Sequence, residues 1–185
     1  MVVFINENRH RNLGFPVSPR SWGEIALLAN RVRQIMGCDK SRRFPIEKLE
    51  LLMPSIDPEF YLLAEASSKM EVEGMAKPWD RCIILREDIM EKLESGDPRA
   101  RFTLAHELGH YIMHANERNC FARINRKTTW PIYQDSEAQA NQFAARILMP
   151  ISMIRICKDS GEIEEQFGVS GEAAKLNYDK HCRRG

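Results

Sequence analysis

The chain lacks any Cys-x-x-Cys pair. Its five cysteines, Cys38, Cys82, Cys120, Cys157 and Cys182, are scattered and odd in number. That excludes a zinc ribbon and a disulfide framework, and fits reduced thiols in a cytoplasmic protein. Neither sign of charge dominates: 27 Lys and Arg face 26 Asp and Glu, for a net charge of +1. A dedicated nucleic-acid binder carries a strong basic field, so direct nucleic-acid binding is not expected, although a local basic patch stays open. No apolar run approaches the roughly 18 residues of a membrane span. The run Met1-Val2-Val3-Phe4-Ile5 is too short for a signal peptide. Repeats and low-complexity segments are absent as well.

What is there reads as a soluble globular chain, 43% hydrophobic and 29% charged over 185 residues. Residues 1–20 are polar around Gly14 and Pro16 and read as an arm. Ser21 and Glu24 have the capping-box spacing, and Ile25, Leu28, Ala29, Val32 and Ile35 recur at helical intervals. A second helix is expected from Pro45, ended by Pro54. Three strands follow: Phe60 to Leu63, the alternating Met70 to Met75, and Cys82 to Leu85. Glu87 to Leu93 reads as a short helix. Asp97-Pro98 starts the next, as N-cap and first helical residue, and it runs to about His114. A loop from Ala115 to Gln134 leads to a helix capped by Asp135 or Ser136 and stopped by Pro150. Two helical patterns close the chain, around Ile163 to Phe167 and Ala173 to Tyr178. The fold class is therefore α+β: about three strands in a small antiparallel or mixed sheet packed on helices. Residues 21–150 are expected to form the main domain. Residues 151–185 would form a helical extension packed on it.

The chemistry concentrates in His106-Glu107-Leu108-Gly109-His110, a match to H-E-x-x-H. Histidines four apart on a helix share a face, so both imidazoles can reach one zinc ion. Glu107 then stands where a metallopeptidase needs its general base. Zinc would polarise a carbonyl and lower the pKa of a bound water towards ~7. Gly109 costs a helix interior about 1 kcal/mol relative to alanine, so a close neighbour is expected there. The alternative is a core helix with two satisfied histidines.

A catalytic zinc has three protein ligands. His114 is poorly placed, because His106 and His114 lie about 12 Å apart along a helix of 1.5 Å rise. The three-histidine pattern fails, with Met113 and Asn116 at its later positions. Glu137 is the other candidate. Ala140 and Ala144 share its face and would allow close approach to the HELGH helix. By spacing alone Glu137 is equally an ordinary first-turn glutamate beside a helix N-terminus.

Arg101-Phe102-Thr103-Leu104-Ala105 leading into HELGH and on to His114, then Glu137 to Ala145 with Ile147-Leu148-Met149-Pro150, resemble the ImmA/IrrE-type metallopeptidases of bacteria and their phages. Phe167-Gly168-Val169-Ser170 adds a weaker likeness. The resemblance implies a zincin-like fold with zinc on His106, His110 and Glu137, and Glu107 as base. It departs from the family at Gln139, where a Glu is frequent. It further implies a zinc endopeptidase cutting an Xre-type helix-turn-helix repressor or antitoxin. The alternatives are a regulator that binds its partner without cutting, or the toxin of a toxin–antitoxin pair.

Four further expectations concern individual residues. Cys82 to Leu85, through Ile83 and Ile84, is the candidate edge on which a substrate strand would lie, with an internal core strand as the alternative. Tyr133 and Tyr111 are weighed as oxyanion stabilisers, and Tyr133 as a substrate contact. Arg99 and Arg101 read as solvated, with a local carboxylate partner as the other option. The Gly168 turn, with Lys180, Arg183 and Arg184 behind it, reads as a packed helical hairpin in preference to a helix-turn-helix.

Overall fold

The computed structural model describes residues 14–117 and 129–182. Cys120, Arg183 and Arg184 lie outside the described residues, as does most of the expected 115–134 loop. Helix α1 (Trp22–Ile35) begins at a full capping box: Ser21 accepts from the Glu24 amide, and Glu24 accepts from the Ser21 amide at 2.7 Å. Its Ile25, Ala29 and Val32 are buried. The expected helix after Pro45 is broken up. A 3-10 turn (Ile46–Lys48), the single turn α2 (Leu49–Leu52) and a second 3-10 turn (Met53–Ser55) share it, and Pro54 sits inside the last.

Strands β1 (Tyr61–Glu65), β2 (Gly74–Lys77) and β3 (Cys82–Arg86) form one mixed sheet. The order is β1-β3-β2, with β1 parallel and β2 antiparallel to β3. Two expectations change here. The second strand lies later than Met70 to Met75, because residues 71–73 bend before pairing starts at Gly74. More consequentially, β3 is the central strand and not an edge. Ile83 pairs with both Leu62 and Ala76, and Ile84 with both Leu63 and Met75. Their main chains have no free side for a substrate strand, and the Ile83 side chain is fully buried. The edges are β1 and β2.

Helix α3 (Glu87–Glu94) leads to α4 (Pro98–Met113), whose N-cap Asp97 accepts from the amides of Arg99 and Ala100. Helix α5 (Ser136–Leu148) is capped by Asp135, which accepts from Ala138. The turn α6 (Ile151–Ile154) and helices α7 (Ser160–Phe167) and α8 (Gly171–His181) follow. Ile154, Ile163, Phe167 and Ala174 of these last helices enter the same buried cluster as Leu104 and Leu108 of α4. Residues 14–20 run beside the start of α5. Pro16 bridges Asp135, Val17 donates to the Gln134 carbonyl at 2.8 Å, and Arg20 donates to the Tyr133 carbonyl at 3.1 Å.

Arg101 departs from its expected solvated role, because it is fully buried. Its Nε donates to the Gly168 carbonyl at 2.9 Å, and its Nη2 to the carbonyls of Phe44 at 3.0 Å and Phe167 at 3.3 Å. Its Nη1 meets the Glu47 carboxylate. Burial lowers its pKa, and the Glu47 charge partly restores it. One side chain thus ties α4 to both the 44–47 segment and the α7–α8 turn. Arg99 is more exposed and pairs with Glu73 at 2.5 Å.

Two stability measurements follow. Arg101→Ala leaves three carbonyls without their donor and the partly exposed Glu47 with Arg43 alone, and should cost about 3–5 kcal/mol in urea unfolding. A loss below 1 kcal/mol would mean that the network does not hold α4. Gly109→Ala gains helix propensity of about 1 kcal/mol. Its Cβ, however, would lie 3.2 Å from the Ala140 Cα and 3.2 Å from Phe143. Overpacking against backbone costs about 1–3 kcal/mol, so a net loss is expected, and a raised unfolding midpoint would overturn the close contact.

Candidate metal centre

Two buried helices cross to build the site. Gly109 on α4 lets the Ala140 backbone of α5 come within contact distance, and Ala140 and Ala144 are both fully buried. The small residues read from the sequence therefore sit at the helix contact. This approach brings Glu137, in the first turn of α5, to His106 and His110. Glu137 Oε2 is 3.2 Å from His106 Nε2, Glu137 Oε1 is 3.1 Å from His110 Nε2, and the two Nε2 atoms are 3.0 Å apart. Among the described residues, these three form a group whose ligand atoms all lie within 4.8 Å of one another.

The donor set suits a divalent metal. Two imidazole nitrogens and a carboxylate oxygen converge, at separations close to the roughly 3.3 Å edge of a tetrahedron with bonds of about 2.0–2.1 Å. The other nitrogen of each imidazole is engaged elsewhere. His106 Nδ1 donates to Asn141 Oδ1 at 3.0 Å, and His110 Nδ1 is 3.0 Å from His114 Nδ1. That leaves the two Nε2 atoms as the ring nitrogens facing the centre. The electrostatics agree. Burial pulls the His106 pKa down, but the hydrogen bond to Glu137 and the charges of Glu107 and Glu137 leave it raised. Burial pulls Glu137 up, yet the hydrogen bonds from His106 and His110 hold its carboxyl far below the usual range. The proton that His106 shares with Glu137 in the protein alone is what a bound cation would displace.

Glu107 sits beside this trio on the sheet side. Its Oε2 accepts from the Ala76 amide of β2 at 2.8 Å. Room for it comes from Gly74, where a Cβ would lie 2.8 Å from the Glu107 Cγ. Burial pushes the Glu107 carboxyl up, while His106 and His110 pull it back, and the net shift is upward. A carboxyl raised towards neutrality is better matched to accepting and returning a proton.

His114 is not a member of the trio. It is buried, and burial and then the His110 charge lower its pKa to about 4. Tyr111 is withdrawn from any oxyanion role: its hydroxyl donates to Asp57 at 2.7 Å and its ring packs edge-on against Phe60. The Tyr133 ring is exposed, and its carbonyl is what enters the site's surroundings, accepting from Gln139 at 2.7 Å. Sequence reasoning missed the parts played by four residues, namely Asn141, Gly74, Ala76 and the buried Gln139. Asn141 was findable, because it lies four residues after Glu137 on the same helix face.

The site is a His-His-Glu group that could hold a metal ion, with a carboxylate beside it, on an α+β scaffold. The family model for the IrrE N-terminal-like domain, peptidase M78, matches residues 68–177. The chain belongs to this family of ImmA/IrrE-type metallopeptidases. A search of curated proteins gives no match. Among solved structures, a Mycobacterium tuberculosis transcriptional regulator superposes with a TM-score of 0.57 at 16% identity, over 88% of this chain and 48% of that one. The likeness is one of fold, and this chain spans about half the length of that protein. Among the described residues, no helix is long and apolar enough to cross a membrane.

Loading with zinc and dialysis should leave one equivalent per chain by elemental analysis. His106→Ala, His110→Ala and Glu137→Ala should each abolish retention, and Asn141→Ala should weaken it about 10–100-fold. Unchanged stoichiometry in the Glu137 variant would remove it from the ligand set.

Proposed function

We propose that this chain is a zinc-dependent endopeptidase of zincin-like fold, acting on a helix-turn-helix, Xre-type repressor or antitoxin. The observation that carries the reading is the convergence of His106, His110 and Glu137 with the half-buried Glu107 carboxylate beside them. A metal held by those three would supply the polarised carbonyl and the acidified water that peptide hydrolysis needs. Everything else is work for the chain's own groups. Glu107, braced by the Ala76 amide, takes a proton from water and returns one to the leaving amine. Glu137 stays ionised and neutralises charge. The β2 edge, next to Glu107, takes over the substrate-strand role first read at Ile83 and Ile84. The exposed Tyr133 ring is a further substrate contact under this reading.

The substrate class rests on the likeness to ImmA/IrrE-type proteins. The solved relative named as a transcriptional regulator favours a second reading, in which the same fold controls transcription by binding a partner without cutting it. A toxin acting on another cellular component is the narrower variant.

Glu107→Gln separates these readings. Incubated with an Xre-type repressor, the wild type should give two fragments, and Glu107→Gln should give none while keeping its zinc. A loss of 10²–10⁴-fold in rate is expected for a removed general base. Equal cutting by both would take Glu107 out of the mechanism. Stable complex formation without fragments, from a zinc-loaded wild type in cytosolic extract, would favour the binding regulator.

A further inference from the structure

Two buried polar side chains beside the centre are not ligands: His114 and Gln139. We propose that they are positioning residues, which fix the direction of every proton on a line running from two main-chain carbonyls to the ligating nitrogen of His110.

The fixed end lies at Ser18 and Tyr133, whose carbonyl oxygens can only accept. Gln139 Nε2 is 2.9 Å from the first and 2.7 Å from the second. Both amide hydrogens are therefore committed there. Turning the carboxamide over would set its oxygen against two carbonyl oxygens. Gln139 Oε1 consequently faces His114 Nε2, at 3.2 Å, as an acceptor. His114 Nε2 must carry a hydrogen, and a neutral ring then has its lone pair on Nδ1. That lone pair lies 3.0 Å from His110 Nδ1, which must donate. With Nδ1 donating, His110 has its Nε2 towards His106 Nε2 and Glu137 Oε1, and once a metal displaces the hydrogen shared with Glu137 the lone pair on that nitrogen is left to ligate. The reverse polarity would put a hydrogen on His110 Nε2, in the middle of the ligand group, and oppose metal binding.

A carboxamide is the side chain that serves this position. It accepts from an imidazole on one side and donates twice on the other. A carboxylate would accept from His114 but oppose both carbonyls. A metal-ligating histidine normally donates its other ring nitrogen to a fixed acceptor. On His106 that acceptor is Asn141, in one step. On His110 it is reached through an imidazole, and it is anchored on the 14–20 segment and the 132–134 turn together.

The inference rests on the metal reading of the trio and is independent of proteolysis. The direct test is the tautomer of His114, read by long-range proton–nitrogen correlation on nitrogen-15-labelled wild type at pH 8. Hydrogen on Nε2 and a bare Nδ1 is expected, with or without zinc; the opposite tautomer would overturn the proposal. Zinc affinity, measured by competition with a chromogenic chelator, gives a second readout. His114→Phe keeps the bulk but removes both hydrogen bonds, and should weaken binding about 10–100-fold. His114→Gln, whose carbonyl can accept from His110 and whose amide can donate to Gln139, should recover most of that loss. Wild-type affinity in His114→Phe, or no recovery in His114→Gln, would refute the relay. A wild type with no zinc affinity would instead refute the metal reading, while the tautomer in the metal-free chain still decides the relay's polarity.

Discussion

The site depends on one contact, the meeting of α4 and α5 at Gly109 and Ala140. Two ligands on one helix are fixed relative to each other by helical geometry alone. The third is on a different helix, so the distance between the helices decides whether it arrives. A Cβ at Gly109 would press on the Ala140 backbone, and backbone cannot swing aside as a side chain can. Close-packed interiors transmit such displacements. A shift of an ångström between the helices would carry Glu137 away from both imidazoles. The remaining packing holds this contact from behind. Arg101 pins α4 to Phe44, Glu47 and the α7–α8 turn, while Arg33 of α1 donates to the Ile147 carbonyl of α5 at 2.6 Å.

Around this contact the two carboxylates of the site are driven apart in character. Both are mostly buried, and burial alone would raise both. Glu137 receives hydrogen bonds from two imidazoles and is pulled far down. Among the described residues Glu107 receives one main-chain amide and no side-chain donor, and its carboxyl stays raised. Environments that separate two carboxylates in this way assign them different work. One remains an anion that can ligate a cation. The other can exchange a proton. The distinction comes from α5 and β2, since neither residue differs in kind.

Much of this was legible in the sequence because it is local. The capping box of α1, the Asp97-Pro98 start of α4 and the HELGH face follow from spacings of three and four residues. The small face of α5 and the unusual Gly109 signalled close approach for the same reason. Sheet order is not local. Cys82 to Leu85 sits next to the catalytic helix in sequence and invited the role of edge. Yet a continuous apolar run is itself the mark of a strand covered on both sides. Placing β1 parallel to β3, with β2 outside, is a tertiary result that no single segment encodes. Arg101 was misjudged on similar grounds. A charged residue near a helix start is usually solvated, and its acceptors lie 54 to 67 residues away.

The polar surroundings of the centre tie it to a part of the chain remote from HELGH. The 132–135 turn makes four contacts at once. Asp135 caps α5 and bridges Pro16, Gln134 accepts from Val17, and Tyr133 accepts from Gln139. The first turn of α5 carries Glu137, so the cap that starts the helix also sets the third ligand. Residues 14–20 fix that turn from the other side, and Ser18 holds the far end of the Gln139 amide. Metal affinity and the seating of this segment are thus expressions of the same contacts. Because a bound ion favours the state in which its ligands are already assembled, it would stabilise α5 and the 14–20 segment together with α4. The centre is accordingly a joint between three stretches of chain, the helix of the HELGH motif being one of them.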